Sequence, residues 1–184
     1  MSHNAWHNAR TMYEKDACAQ AMGMDIVDMD EGYAVVTMTI TPQMLNGHKT
    51  CHGGQLFSLA DTAFAYACNS QGLAAVASGC SIDFLRPGFA GDKLTATARV
   101  MHQGKLTGVY DIEIQNQQQK TVALFRGKSH RIGGVTHLFV MAFERQWGAT
   151  AARFLPCERT ISVPYRCVRC WTATRSSTWN GLMM

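Results

Sequence analysis

The sequence contains no apolar run approaching the roughly 18–20 residues of a membrane span. Its opening stretch, MSHNAWHNARTMYEKDACAQ, lacks the apolar segment of roughly 7–15 residues that marks a secretory leader. These two absences set the expectation of a cytoplasmic chain with no membrane partner. Charge is also scarce: Asp, Glu, Lys and Arg make up 16% of the 184 residues, against 47% apolar, which excludes a disordered or charge-extended polymer. No internal repeat or long linker is visible, and the length suits one domain with a sizeable core better than two. Seven cysteines in a chain without a leader read as reduced thiols, not as a disulfide framework.

The net charge of +4 is unevenly placed. Residues 1–134 balance, with 11 Lys and Arg against 11 Asp and Glu, whereas residues 135–184 hold six Arg, no Lys and two Glu. The main part of the chain therefore has no basic field, and no nucleic-acid partner is expected. The last fifty residues also collect three of the four Trp and three of the seven Cys, and alternation collapses there. The expected division is a domain over residues 1–134 and an atypical tail over 135–184, which has the look of out-of-frame translation after a frameshift near Gly134. A lineage-specific extension is the alternative. Within the tail, Cys167 and Cys170 form one CxxC without a second spaced pair, so no metal site is expected.

Periodicity organises the rest. Residues 4–22 read as helix, with Gly23 as a stop. GYAVVTMTI sets Ala34, Val36, Met38 and Ile40 on one side of a strand. A polar loop from Asn46 to His52 leads into a long helix starting at Gly53. Four strands follow: VASGCSIDFL, KLTATARVM, TGVYDIEIQ and KTVALFRGKSHRI. RPGFAGD and NQQQK serve as turns, the second closing an antiparallel hairpin. Strands grouped after a helix, not alternating with helices, indicate an α+β fold with an antiparallel sheet.

The long helix carries the functional signal. At 100° per residue, Leu59, Ala60, Ala63 and Ala67 gather within about 60° of Leu56, a stripe for the sheet. Asp61 lies about 140° away, beside Phe57, Ala65 and Cys68. A helix apolar all round is covered all round, so a second copy of the chain is expected over this flank. Gly53-Gly54 opens the helix, where unpaired N–H groups and the dipole favour a developing oxyanion. Asp61 is eight residues on, about 12 Å along the axis, too far to act on the same carbon within one chain. Two antiparallel helices would remove that mismatch by sharing each site between subunits. A buried acid bonded to backbone or Arg is the structural alternative for Asp61. Cys51 lacks an evident partnered base and reads as a small filler, not a nucleophile.

NGHKTCHGGQLFSLADTAFA together with IDFLRPGFAGDKLTATA resembles the hotdog-fold acyl-CoA thioesterases of the phenylacetic-acid-degradation type, over about residues 5–133. The resemblance implies an antiparallel sheet wrapped around a long central helix, dimers paired into tetramers, an acyl-CoA substrate with an aryl-acetyl group, and hydrolysis without cofactor. It implies Asp61 as the catalytic carboxylate (base or nucleophile), Gly53 as the carbonyl-polarising N–H, and Asn46 and His52 as loop positions that place thioester and water. Thr62, Gly54 and Phe57 are the expected substrate neighbours, with Lys128 and Arg131 as candidates for the coenzyme A phosphates. Phe64 and Tyr66 could line an aromatic pocket or equally belong to the core. A hotdog dehydratase, which needs a helix histidine, and a non-catalytic acyl-CoA-binding module are the rival readings.

Overall fold

A computed structural model describes residues 3–135, and the expectations for the tail lie outside those residues. The elements run α1 (His3–Tyr13), α2 (Ala17–Ala21), β1 (Asp25–Asp30), β2 (Tyr33–Thr39), a single 3-10 turn (Pro42–Met44), α3 (Gly53–Asn69), β3 (Leu73–Phe84), β4 (Lys93–Gln103), β5 (Thr107–Gln115) and β6 (Thr121–Val135). The six strands form one antiparallel sheet in the order β1-β2-β4-β5-β6-β3. Helix α3 packs on one face of it and buries Leu56, Leu59, Ala60, Ala63 and Ala67, the expected stripe. Ala34, Val36, Met38, Leu94, Ala96, Ala98, Ile112 and Ile114 meet that stripe from β2, β4 and β5. No described helix is long and apolar enough to cross a membrane.

Two expectations need correction. The single helix over 4–22 is two helices, broken at Glu14–Asp16. There Asp16 turns its side chain onto Ala19 N–H at 2.9 Å and caps α2, so a good cap outcompetes helix continuation. Gly23 does end the second helix, at φ +63°. Strand β1 was not foreseen. Its DIVDMD is acidic at three of six positions, only Met29 is fully buried, and a bulge between Ile26 and Asp28 breaks the alternation. Acids on an edge strand discourage pairing with other chains, which hides the strand from a hydrophobic pattern. The β5–β6 hairpin forms as expected across Asn116–Lys120.

The two sequence motifs are joined in space. Cys51 N–H donates to the Gly88 carbonyl at 2.8 Å, and an added Cβ at Gly88 would stand 2.7 Å from Ile40 Cδ1. Asp92 accepts from Phe89 N–H and from Gln117 Nε2, each at 2.8 Å, and the Asp92 carbonyl receives Ile40 N–H at 2.9 Å. The RPGFAGD turn thus clamps the end of β2, the loop before α3 and the β5–β6 turn together. Its glycine is where that loop must approach.

Candidate active site

The approach to α3 is held by side chains that sequence reading assigned to substrate. Asn46 accepts from His48 N–H at 2.9 Å and Thr50 N–H at 3.3 Å, and its Nδ2 donates to Thr50 Oγ1 at 3.1 Å. It closes the tight loop in which Lys49 takes φ +60°. His52 is the N-cap of α3: its Nδ1 accepts Gly54 N–H at 3.0 Å and its carbonyl receives Gln55 N–H at 2.9 Å. Gly54 N–H is therefore spent on the cap. Gly53 N–H has no acceptor among the described residues, so it is the donor left for an incoming oxygen.

Along the helix, Gly53, Phe57, Asp61 and Ala65 follow one another at one-turn steps, all half-buried, with Thr62 half-buried beside Asp61. Strand β3 runs back beside this row. Asn69, at the end of α3, receives Ala75 N–H and donates to the Ala75 carbonyl, both at 3.0 Å. At the other end the tip of the Phe84 ring reaches Gly53, its Cζ 2.9 Å from where a Cβ would stand. Between them Cys80 lies within electrostatic reach of Asp61. The spacing follows from geometry: eight helical residues rise about 12 Å and four strand residues about 13 Å. Gly53 therefore faces Phe84 while Asp61 faces Cys80. Because β3 is an edge of the sheet, the strip between helix and strand is open along its length.

Asp61 is half-buried, and desolvation raises its pKa above the ordinary aspartate range. The Asp16 carboxylate adds to the rise. The neighbouring Cys68 thiol is pushed up to about 12, by burial first and by Asp61 second. Cys51, buried, is pushed up to about 11 and stays a thiol, which agrees with its reading as a filler.

The remaining sequence candidates divide clearly. Phe57 is half-buried and meets Phe125 edge-on at 5.2 Å. Phe64 and Tyr66 are core residues, each 1% exposed, so the pocket alternative for them falls away. Lys128 is exposed on β6. Arg131 is half-buried and donates to Gln71 Oε1 at 2.7 Å, just past the C-terminal end of α3. Within one chain it lies at the opposite end of the helix from Gly53. The contact of Phe84 with Gly53 is one that the sequence did not point to. Alternation did place Phe84 in one row with Cys80 and Ile82, but nothing in the sequence says that this row borders the helix flank of Asp61.

A groove of about 600 Å³ opens on the other face of the sheet, lined in part by Asp83, Arg99, Asp111, Glu113 and Arg126. Arg126 grips Asp111 there at 2.6 and 2.7 Å, holding that carboxyl below its usual range. Neither Asp61 nor Gly53 touches this groove, so it does not compete with the helix–strand strip for the chemistry.

An antiparallel six-stranded sheet packed on one long helix is a hotdog fold, the fold of the thioesterases. The thioesterase superfamily's sequence model matches residues 48–123, and the chain belongs to that family. It is 84% identical over 134 residues to the acyl-coenzyme A thioesterase PaaI of Escherichia coli, which spans 73% of this chain and 96% of that protein. The solved structure of the E. coli PaaI protein from the phenylacetic acid degradation operon superposes with a TM-score of 0.72 at 83% identity, covering 73% of this chain and 97% of the other. A hypothetical thioesterase protein from Streptococcus pneumoniae solved with coenzyme A is 30% identical, with a TM-score of 0.62 over 67% of this chain and 95% of that one.

Proposed function

We propose that this chain is a cytoplasmic hydrolase of acyl-coenzyme A thioesters, favouring phenylacetyl and ring-hydroxylated phenylacetyl groups, in phenylacetate degradation. The observation that carries the chemistry is the pairing of a half-buried Asp61 with the unused Gly53 N–H on one open helix flank. The acyl group follows the E. coli relative and the operon in which it is described. A helix histidine, which a dehydratase needs, is absent from α3.

The catalytic unit is a dimer. Gly53 and Asp61 of one chain are about 12 Å apart, so each thioester is held between Gly53 N–H of one subunit and Asp61 of the other. The edge of β3, with Leu73 and Val76 46% and 42% exposed, suits pairing with a second copy. Two such dimers form a tetramer. Asp61 either removes a proton from water as the water oxygen attacks the carbonyl carbon, or attacks that carbon itself. In the first route the C–S bond breaks as the oxyanion collapses, and the departing thiolate takes the proton that Asp61 received. In the second the Asp61 oxygen bonds the carbonyl carbon and the C–S bond breaks to leave a mixed anhydride and a thiolate; water then cleaves the anhydride, which restores the Asp61 carboxylate, and one proton of that water goes to the thiolate. Both give one carboxylic acid and one thiol per water consumed. Asn46 and His52 act by shaping the loop and cap that present Gly53. Thr62 and Phe57 flank the acyl group, and Lys128 and Arg131 serve the coenzyme A phosphates across the dimer.

The test is release of free thiol from phenylacetyl, hydroxyphenylacetyl, benzoyl and medium-chain acyl-CoA, followed with a thiol reagent. Preference for the first two is expected. Binding of these esters without thiol release would overturn the enzymatic reading in favour of a binding module. The shared site is checked by mixing Asp61→Asn with Gly53→Pro chains. Proline suits the first helical position, and His52 already has the extended backbone (φ −63°, ψ 134°) that precedes a proline. The substitution therefore removes the N–H without breaking the helix; its Cβ displaces the Phe84 tip, which lies 2.9 Å from that position, but only in the site that has already lost its N–H. Mixed oligomers should recover activity that neither variant shows alone.

A further inference from the structure

We infer that Phe84 is the residue that sorts acyl groups, favouring an aryl ring one methylene from the carbonyl. The inference rests on the thioesterase reading above and names a specificity element within the same site. Phe84 ends β3, where it pairs with Ala123 of β6, and its ring extends past the sheet edge towards the start of α3. The ring meets Gly53 tip first: Cζ, Cε1 and Cε2 lie 2.9, 3.3 and 3.4 Å from the position of a Cβ on Gly53. The contact uses the far edge of the ring, and the residue as a whole is 53% exposed.

A carbonyl oxygen accepting from Gly53 N–H stands about 2.9 Å from that nitrogen, and its carbon about 1.2 Å further. The three atoms nearest a Cβ on Gly53 all belong to the Phe84 ring, which makes it the wall that acyl atoms meet on that side of the carbonyl. A straight alkyl chain gains only area from such a wall. An aryl group on the second carbon gains an offset or edge-on aromatic contact as well, worth about 0.5–1.5 kcal/mol beyond area. Phe57 on the helix side is already committed edge-on to Phe125, which leaves Phe84 as the unpaired ring of the strip. The same contact means that a Cβ at position 53 would push the ring aside, its nearest atom being 2.9 Å away.

The experiment measures kcat and KM of the full chain and of Phe84→Leu and Phe84→Tyr with phenylacetyl-CoA, hexanoyl-CoA and acetyl-CoA. For Phe84→Leu, kcat/KM for phenylacetyl-CoA should fall about 3–10-fold. Hexanoyl-CoA and acetyl-CoA should change far less, so the aryl-to-alkyl ratio drops. Phe84→Tyr keeps the ring, and because its added hydroxyl sits at the tip that meets Gly53 it is judged by the ratio alone, which should hold. Circular dichroism and light scattering on each variant separate folding from selectivity; if Phe84→Leu does not fold, Phe84→Met replaces it as the ringless variant. An equal fall with all three esters, or an unchanged ratio in the ringless variant, overturns the inference while leaving thioester hydrolysis intact. Absence of thiol release by the unaltered protein would overturn the catalytic reading and this one with it.

Discussion

At Asp61 the same burial that shapes the chemistry costs stability. Its folded-state pKa is raised above the unfolded value, so ionisation is disfavoured in the fold. That penalty is fully present at pH above the folded pKa and vanishes as pH falls below the unfolded one. Asp61→Asn should therefore raise the melting temperature at neutral pH, with the gain fading in acid, and calorimetry across pH checks the sign. The same variant should lose at least about 10²-fold in kcat, the scale of a positioned base. In the intact enzyme, kcat should fall on acidification at a pH above the ordinary aspartate range. Tyr66 offers a residue-scale contrast. Its hydroxyl is buried and finds no acceptor or donor among the described residues. Tyr66→Phe removes an orphaned polar atom and should hold or raise the melting temperature.

The next scale is the pairing of α3 with β3, since neither element makes the site alone. The helix supplies Gly53 and Asp61 at a rise of about 1.5 Å per residue, and the strand supplies Cys80 and Phe84 at about 3.3 Å. The antiparallel course of the two keeps both pairs in step. Helix α3 was legible because its apolar stripe, glycine start and polar approach are local signals. The neighbourhood of Phe84 was not, because it depends on β3 lying at the sheet edge next to β6, 39 or more residues away in sequence at every paired position near its end. Gly127 on β6 is the complementary case: Phe64 of α3 packs flat against it, with three ring atoms 2.9 Å from a Cβ placed there. Gly127→Ala must displace a buried ring and should cost about 1–3 kcal/mol, read from urea unfolding.

For the whole molecule, the assembly is the property most exposed to test. A lone chain leaves the β3 edge and the Asp61 flank uncovered, so light scattering at micromolar concentration is expected to give a tetramer. A charge on that edge, such as Val76→Lys, should shift the distribution towards smaller species and lower activity in proportion. A monomer with full activity would contradict the shared site. Residues 135–184 enter as a proposal of the same scale. If they are an appendage to a complete domain, a chain ending at Gly134 should keep the activity and assembly of the full one.

The sequence by itself determined the α+β class, the long helix with its apolar stripe, the β5–β6 hairpin and the singularity of Asp61, because each rests on short-range periodicity or on one charge in an apolar row. It did not reveal β1, whose acids mask its pattern, nor the break before Asp16, where a capping side chain competes locally with helix. Only the tertiary structure decided that Gly54 N–H is consumed by His52 while Gly53 N–H is left, that Phe64 and Tyr66 are core, and that Phe84 borders the site. Those outcomes depend on which groups meet across the fold. Contacts between residues distant in sequence are set by packing and hydrogen-bond geometry, to which a local pattern is blind.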